Sequence, residues 1–83
     1  MNLTGYKGRP KSKDVDRVIG RNIKLLRDFK KISLVKLGEF VGVTFQQIQK
    51  YERGRDRVSA ANLMKMSEAL GVSMEDFFID QGE

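Results

Sequence analysis

The sequence of 83 residues contains no cysteine and no histidine. It can therefore form neither a disulfide bond nor a zinc finger, and it has no Cys/His or Ser/His/Asp catalytic group. No apolar run approaches the roughly 20 residues that a transmembrane helix requires, and residues 1–13 lack the apolar core of a signal peptide. We expect a cytoplasmic protein that is not an enzyme, with no metal, other cofactor, membrane partner or small-molecule ligand.

Positive charge is concentrated in the first two-thirds of the chain, whose overall net charge is +5. Residues 1–32 contain ten Lys or Arg against three Asp, and residues 33–58 contain five basic against three acidic residues. Residues 59–83 contain Lys65 alone against five acidic residues. This gradient predicts that the basic part attracts a polyanion, whereas an even distribution would indicate only solubility.

Residues 1–14 are predicted to form a flexible basic arm, because they combine glycine, proline and basic residues with few apolar ones. A Gly-Arg-Pro sequence within the arm is similar to the core of an AT-hook, which inserts arginine into a narrow A·T minor groove. The arm residues that would contact this groove are Lys7, Arg9 and Lys11. The alternative is a disordered basic tail that binds nothing in particular.

Residues 15–80 are predicted to form one all-α domain of five helices. Apolar residues recur at helical spacing in the first helix, at Val15, Val18, Ile19, Ile23, Leu25, Leu26 and Phe29. The later helices begin at the capping residues Ser33, Thr44, Ser59 and Ser73, and Gly42, Gly54 and Gly71 end helices two to four. Gln47 is predicted to complete a capping box with Thr44. Gly38 lies inside the second helix, where we interpret it as the point at which the next helix approaches closely.

The third helix has an inner side, where Ile48 and Tyr51 are predicted to point, and an opposite, open side. The open side is predicted to contact DNA bases in the major groove through Thr44, Phe45, Gln46, Gln49 and Lys50. Glutamine can bond both N6 and N7 of adenine, phenylalanine can contact a thymine methyl, and lysine can reach guanine or a phosphate. Two alternatives stay open: Phe45 packs on the second helix, or Lys50 is simply solvated.

Phosphate contacts are predicted where helices begin and where the chain leaves the third helix, at Ser33, Gln47, Arg53, Arg55 and Arg57. Free backbone amides at a helix start receive phosphate oxygens, and arginines after the recognition helix lie where the chain should cross the DNA backbone. A solvated loop is the alternative for the arginines.

The sequence Gly42-Val43-Thr44, followed by Ile48, Tyr51-Glu52 and Gly54, resembles the phage repressor and Cro class of helix-turn-helix proteins, also called the xenobiotic-response-element-like family. The resemblance covers residues 17–79. It implies a five-helix, lambda-repressor-like fold that places helix 45–53 in the major groove, and a structural salt bridge between Arg27 and Glu52. It also implies a homodimer that binds a palindromic double-stranded operator and regulates transcription, most simply as a repressor.

Three positions depart from the family pattern. Leu34 stands where a phosphate-binding glutamine is usual, Phe40 where a polar residue is usual, and Val58 where proline is frequent. Leu34, Val35 and Phe40 together favour an alternative function as a protein-interaction module, and an antitoxin or a restriction-modification controller would look much the same. For Phe77, Phe78 and Ile79, we expect one or two to close the core and the remainder to contact a two-fold mate; the alternative is that all three lie in the core.

Overall fold

The computed structural model describes residues 12–80. Four α-helices and one 3-10 helix follow one another, and no strand occurs within this range. The helices are α1 (Ser12–Phe29), α2 (Leu34–Val41), α3 (Phe45–Glu52), α4 (Ala60–Leu70) and the 3-10 helix (Met74–Phe78). Lys7, Arg9 and Lys11, with most of the predicted arm, lie outside the described residues.

Two predicted elements differ from the structure. Helix α1 begins at Ser12, inside the range assigned to the arm, and Asp14 in its first turn interacts favourably with the helix dipole. Ser12, Lys13 and Asp14 are all polar, so no apolar residue reveals this turn in the sequence. The predicted fifth helix is a 3-10 helix of five residues, in which the Asp76 carboxylate accepts a hydrogen bond from the Ser73 amide at 3.1 Å. So short a segment cannot build a ladder of i to i−4 bonds.

The predicted caps of α2, α3 and α4 are confirmed. The side chains of Ser33, Thr44 and Ser59 accept hydrogen bonds from the amides three residues later, at 3.0 to 3.1 Å. Gly42 and Gly71 end α2 and α4 in the left-handed conformation that glycine adopts without steric cost. These caps fix where each helix starts and stops, and therefore which side chains share a face.

The core lies where the five elements meet. Each element contributes to the set of fully buried side chains: Ile23, Leu37, Ile48, Met66, Leu70 and Phe77. Tyr51 is also buried, as predicted from the inner face of α3. Leu25 and Phe29 follow the apolar pattern of α1 but are 50% and 79% exposed, because helical rotation carries them away from the buried stripe of Ile19 and Ile23.

A buried asparagine on α1 holds the end of the described chain. Asn22 is 3% exposed, and its side-chain nitrogen donates one hydrogen bond to the carbonyl of Phe77 and another to that of Ile79, each 2.8 Å long. An amide nitrogen carries two hydrogens, so both are used. The bonds span more than 50 residues of sequence, and they attach the 3-10 helix to α1 while Phe77 fills the core beneath it.

Two glycines allow backbones to approach closely around α3. A Cβ on Gly38 would lie 2.6 Å from the carbonyl oxygen of Val43, which confirms the predicted close approach of the segment that enters α3. A Cβ on Gly20 would collide with the carbonyl oxygens of Tyr51 and Glu52. Helix α1 therefore lies directly against the end of α3, and any larger residue at Gly20 would push the two helices apart.

An ion pair joins α1 to α3 at this junction. The Arg27 Nε and Nη2 atoms lie 2.7 and 3.3 Å from the two carboxylate oxygens of Glu52, and Nη1 donates to the Ile32 carbonyl at 2.9 Å. The two side chains are only 10% and 7% exposed. The hydrogen bond to Glu52 raises the pKa of Arg27 above its ordinary value, because it favours the charged guanidinium. One guanidinium thus fixes α1, α3 and the turn after α1.

We predict that Glu52→Gln lowers the free energy of unfolding by about 3 kcal/mol, because it leaves a largely buried guanidinium without its counter-charge. Urea unfolding monitored by circular dichroism measures the change. The control is Asp28→Asn, which removes an exposed carboxylate 3.4 Å from the same guanidinium and should change stability little. Equal losses in the two variants would contradict the role given to the buried pair.

We also predict that Asn22→Ala destabilises the domain by about 1–3 kcal/mol, because two carbonyl groups, one in a buried and one in a partly buried hydrogen bond, lose their donor. Amide hydrogen exchange should accelerate at the 3-10 helix before it accelerates in α3. Asn62→Ala serves as the comparison, since its amide reaches the Tyr51 hydroxyl only at 3.5 Å. The attachment would be refuted if exchange at the 3-10 helix stayed as slow in Asn22→Ala as in the wild type.

Candidate nucleic-acid interface

The open side of α3 carries the residues predicted to contact bases. Thr44, Phe45, Gln46 and Lys50 are exposed, and Gln49 is half-buried beside them. Because residues three and four positions apart share a side of a helix, Phe45, Gln46, Gln49 and Lys50 lie on one surface, and the N-cap Thr44 stands at its start. The surface combines amide donors and acceptors, one cation and one aromatic ring, and it contains no carboxylate.

Phe45 stands at the front of this surface with 41% of its area exposed. The rest of the residue is covered by the protein, and a DNA contact by the exposed part stays a prediction. An apolar group that is exposed at the start of a recognition helix can meet a thymine methyl without breaking any hydrogen bond.

The side chain of Gln47 does not complete a capping box. The Thr44 hydroxyl caps the Gln47 amide at 3.1 Å, but the Gln47 side-chain nitrogen donates to the Asp56 carboxylate at 2.9 Å. The Thr44 amide donates no hydrogen bond to the Gln47 side-chain oxygen, so the predicted reciprocal bond is wrong; the side chain is held by its charge-assisted bond to Asp56. The structure places Gln47 half-buried at the side of α3 that faces the following loop.

The starts of α2 and α3 both carry open backbone donors. Ser33 is exposed, and its hydroxyl oxygen accepts from the Lys36 amide at 3.0 Å, which leaves the hydroxyl hydrogen available to an external acceptor. The first amides of α2 and α3 have no partner inside their helices, as at any helix start. The positive ends of two helix dipoles add to this preference for an anion.

The loop after α3 carries three exposed arginines, Arg53, Arg55 and Arg57. Arg53 closes the helix, and the backbone amide of Arg55 donates to the Lys50 carbonyl at 2.9 Å. Arg57 Nε lies 3.3 Å from a carboxylate oxygen of Asp16 on α1. Sequence reasoning assigned no such role to Asp16 or Asp56, since these contacts depend on how the loop folds back.

Residues 12–80 contain no candidate metal site and no candidate membrane-spanning helix. No group of three acidic, His or Cys side chains in this range is placed to hold a metal ion. No helix among these residues is long and apolar enough to cross a membrane. The open side of α3 has side chains that can form hydrogen bonds with a base edge. Next to it lie cations and backbone amides, which are groups that can bind phosphate.

Comparison with known sequences matches residues 23–77 to the helix-turn-helix family HTH_3. The HTH-type transcriptional regulator y4aM of Sinorhizobium fredii is 47% identical over 80 residues, which are 96% of this chain and 56% of that protein. A transcriptional regulator in the ATPase CF(0) region of Rhodospirillum rubrum is 42% identical over 66 residues, 80% of this chain and 61% of that one. The chain thus spans about half the length of the curated relatives it matches.

Solved structures agree with the sequence comparison. The clp gene regulator ClgR from Corynebacterium glutamicum superposes with a TM-score of 0.73 at 29% identity, over 82% of this chain and 69% of that one. The restriction-modification controller protein C.AhdI from Aeromonas hydrophila gives 0.72 at 27% identity, over 76% and 96%. The capped helices α2 and α3, the buried ion pair between Arg27 and Glu52, and these matches all agree. The chain belongs to the helix-turn-helix family of the Cro/C1 type.

Proposed function

We propose that this protein is a sequence-specific DNA-binding transcriptional regulator, most simply a repressor, that acts in the cytoplasm by placing α3 in the major groove. The observation that carries the proposal is the division of α3 into two sides. Ile48 and Tyr51 are buried, while Gln46 and Lys50 remain exposed on a side without carboxylates. The relatives named as transcriptional regulators and the structural neighbour ClgR support the same function.

Base recognition follows from the order of side chains along α3. The first turn of a recognition helix enters the groove most deeply, so Thr44, Phe45 and Gln46 contact bases there. Gln46 pairs with the N6 and N7 atoms of an adenine, and Phe45 contacts a thymine methyl. Gln49 and Lys50 lie one turn later and reach a second adenine and a guanine or phosphate. The half-site therefore contains A·T pairs.

Affinity comes mainly from phosphates around this groove. The open amides of α2 and α3 each receive a phosphate oxygen, and Ser33 and Gln47 add side-chain donors beside them. Arg53, Arg55 and Arg57 follow the backbone away from the groove. Because each neutralised phosphate releases counterions, binding weakens steeply as salt rises.

The protein binds a palindromic operator as a homodimer. One α3 reads only a few base pairs, and a second copy about 34 Å away reads the matching half-site. Exposed apolar residues outside α3 are open to that copy: Phe78 and Ile79 are 49% and 51% exposed, and Leu25 and Phe29 on α1 are exposed as well.

A protein-interaction module is the second candidate, favoured by exposed apolar residues on α2. Val35 and Phe40 are 52% and 57% exposed. Such a module needs no DNA affinity, so DNA binding separates the two candidates. The likeness to C.AhdI suggests a restriction-modification controller as one setting for the DNA-binding function.

The first test is selection of bound duplexes from a random DNA pool. We predict a two-fold symmetric site whose half-sites contain A·T pairs. Gln46→Ala should weaken binding to that site by about 1–3 kcal/mol and relax the preference at one base pair, because a bidentate contact is lost. Failure of the wild type to enrich any sequence, at low and at moderate salt, would leave the interaction module as the better account.

A matched pair of lysine variants tests whether the effect belongs to the surface of α3. Lys50→Ala and Lys65→Ala each remove one exposed positive charge, but Lys65 lies on α4. We expect Lys50→Ala to weaken binding to the selected duplex clearly and Lys65→Ala to weaken it little. Equal losses would mean that overall charge, and not the position of α3, determines affinity.

A further inference from the structure

One ion pair connects the loop after α3 to the first half of α1. The Arg57 Nε atom lies 3.3 and 3.4 Å from the two carboxylate oxygens of Asp16, across 41 residues of sequence. The two partners differ in accessibility: the Asp16 side chain is 14% exposed, and that of Arg57 is 66% exposed. The carboxylate is therefore set into the surface, and the arginine extends from it toward solvent.

The contact leaves most of the guanidinium free. Both distances to Asp16 involve Nε, and no hydrogen bond within residues 12–80 uses Nη1 or Nη2 of Arg57. A guanidinium has five N–H donors in a rigid plane, and the four on Nη1 and Nη2 can grip an anion as a fork. Arg57 can thus hold Asp16 with its inner edge and present its outer end to a second acceptor.

The backbone around Arg57 is fixed on both sides. Gly54 has a φ of +70°, and a Cβ there would lie 3.0 Å from the Cα atom of Arg17, the neighbour of Asp16. After the loop, the Ser59 side chain caps α4. The loop therefore contacts α1 at one end and continues into a capped helix at the other. These contacts restrain the backbone of the loop, but they do not orient the side chain of Arg57.

We propose that Asp16 is a positioning residue for phosphate binding: it orients Arg57 so that Nη1 and Nη2 clamp a phosphate of the DNA backbone. This inference rests on the proposed DNA-binding function. Arg57 is the cation that lies next to this largely covered carboxylate, so we expect the pair to persist when DNA binds. Holding the side chain in the free protein also reduces the conformational entropy that binding must otherwise remove.

Arg55 provides a matched comparison within the same loop. It is exposed, and none of the side-chain hydrogen bonds or ion pairs within residues 12–80 involves it. An unsupported arginine acts on a phosphate mainly as a charge, so replacement by lysine costs less there than at a supported arginine. A supported, two-sided arginine is not replaceable by lysine, whose single ammonium group cannot reproduce the fork.

The test measures binding of the full chain to a mixed-sequence duplex of about 30 base pairs, because phosphate contacts do not depend on base sequence. Arg57→Lys keeps the charge, yet we expect affinity to fall about three- to tenfold, the range for one weakened bond to a charged group. Arg55→Lys should cost less affinity than Arg57→Lys, because Arg55 has no supporting carboxylate and acts mainly as a charge, which lysine keeps. Asp16→Asn should weaken binding about as much as Arg57→Lys, and the double variant Asp16→Asn/Arg57→Lys should be no weaker than Arg57→Lys alone.

The salt dependence separates positioning from a general structural role. If Asp16→Asn releases Arg57 from the phosphate, the slope of log K against log salt becomes shallower by up to about 0.9, whereas a smaller folded fraction would not change the slope. Thermal unfolding of each variant shows that binding is measured on folded protein.

Three results would overturn the inference. Tighter binding by Asp16→Asn would mean that its carboxylate only repels DNA. Equal effects of the two lysine replacements would mean that Arg57 is not clamped, and an unchanged salt slope in Asp16→Asn would mean that no phosphate contact depends on it. Absence of binding by the wild type would refute the proposed function itself, which distinguishes the two failures.

Discussion

The buried ion pair between Arg27 and Glu52 is the constraint on which the rest of the structure depends. It joins α1 to the end of α3 where Gly20 lets the two backbones meet, so neither helix can rotate without breaking the pair or creating a steric clash. Helix α3 has only eight residues and little helical stability of its own. Its direction is therefore set by this contact, by the burial of Ile48 and by the tight turn at Gly42. A recognition helix needs such support, because a small error in its angle moves every base contact at once.

The same support explains why α3 can leave one side unburied. Its inner side supplies Ile48 and Tyr51 to the core, where burial stabilises the helix. Its outer side then has no structural task and can carry residues chosen for a ligand, such as Gln46 and Lys50. The loop that follows extends this arrangement, since Gly54 pins it to α1. The division between a buried, stabilising side and an open side thus continues from α3 into the loop that carries Arg53, Arg55 and Arg57.

Local signals made most of the fold predictable from sequence. The capping residues, Gly42, and the inner positions of α3 depend on neighbours within a few residues, and the structure confirms each of them. The close approach at Gly38 was also predictable, because a glycine inside a helix lowers helix stability and is therefore expected where a larger side chain would not fit. The sequence could not reveal contacts between residues that are distant along the chain. Asn22 donates to the carbonyls of residues 77 and 79, and Arg57 donates to Asp16. The side chain of Gln47 donates to Asp56 and does not form its predicted capping box. Nothing in the sequence near these residues indicates the partner. Leu25 and Phe29 show a different limit, because they fit the apolar pattern of α1 and yet are exposed.

The central claim is that DNA contacts the open side of α3 and the loop after it, while α4 and the 3-10 helix stay away. Titrating the labelled protein with duplex DNA and following backbone amide chemical shifts by NMR tests this claim most directly. We predict that the largest changes fall at residues 44–50 and 53–57 and at the start of α2, with small changes across residues 60–78. Shifts that concentrate on α4 and the 3-10 helix, or on Val35 and Phe40 with α3 unaffected, would contradict the account.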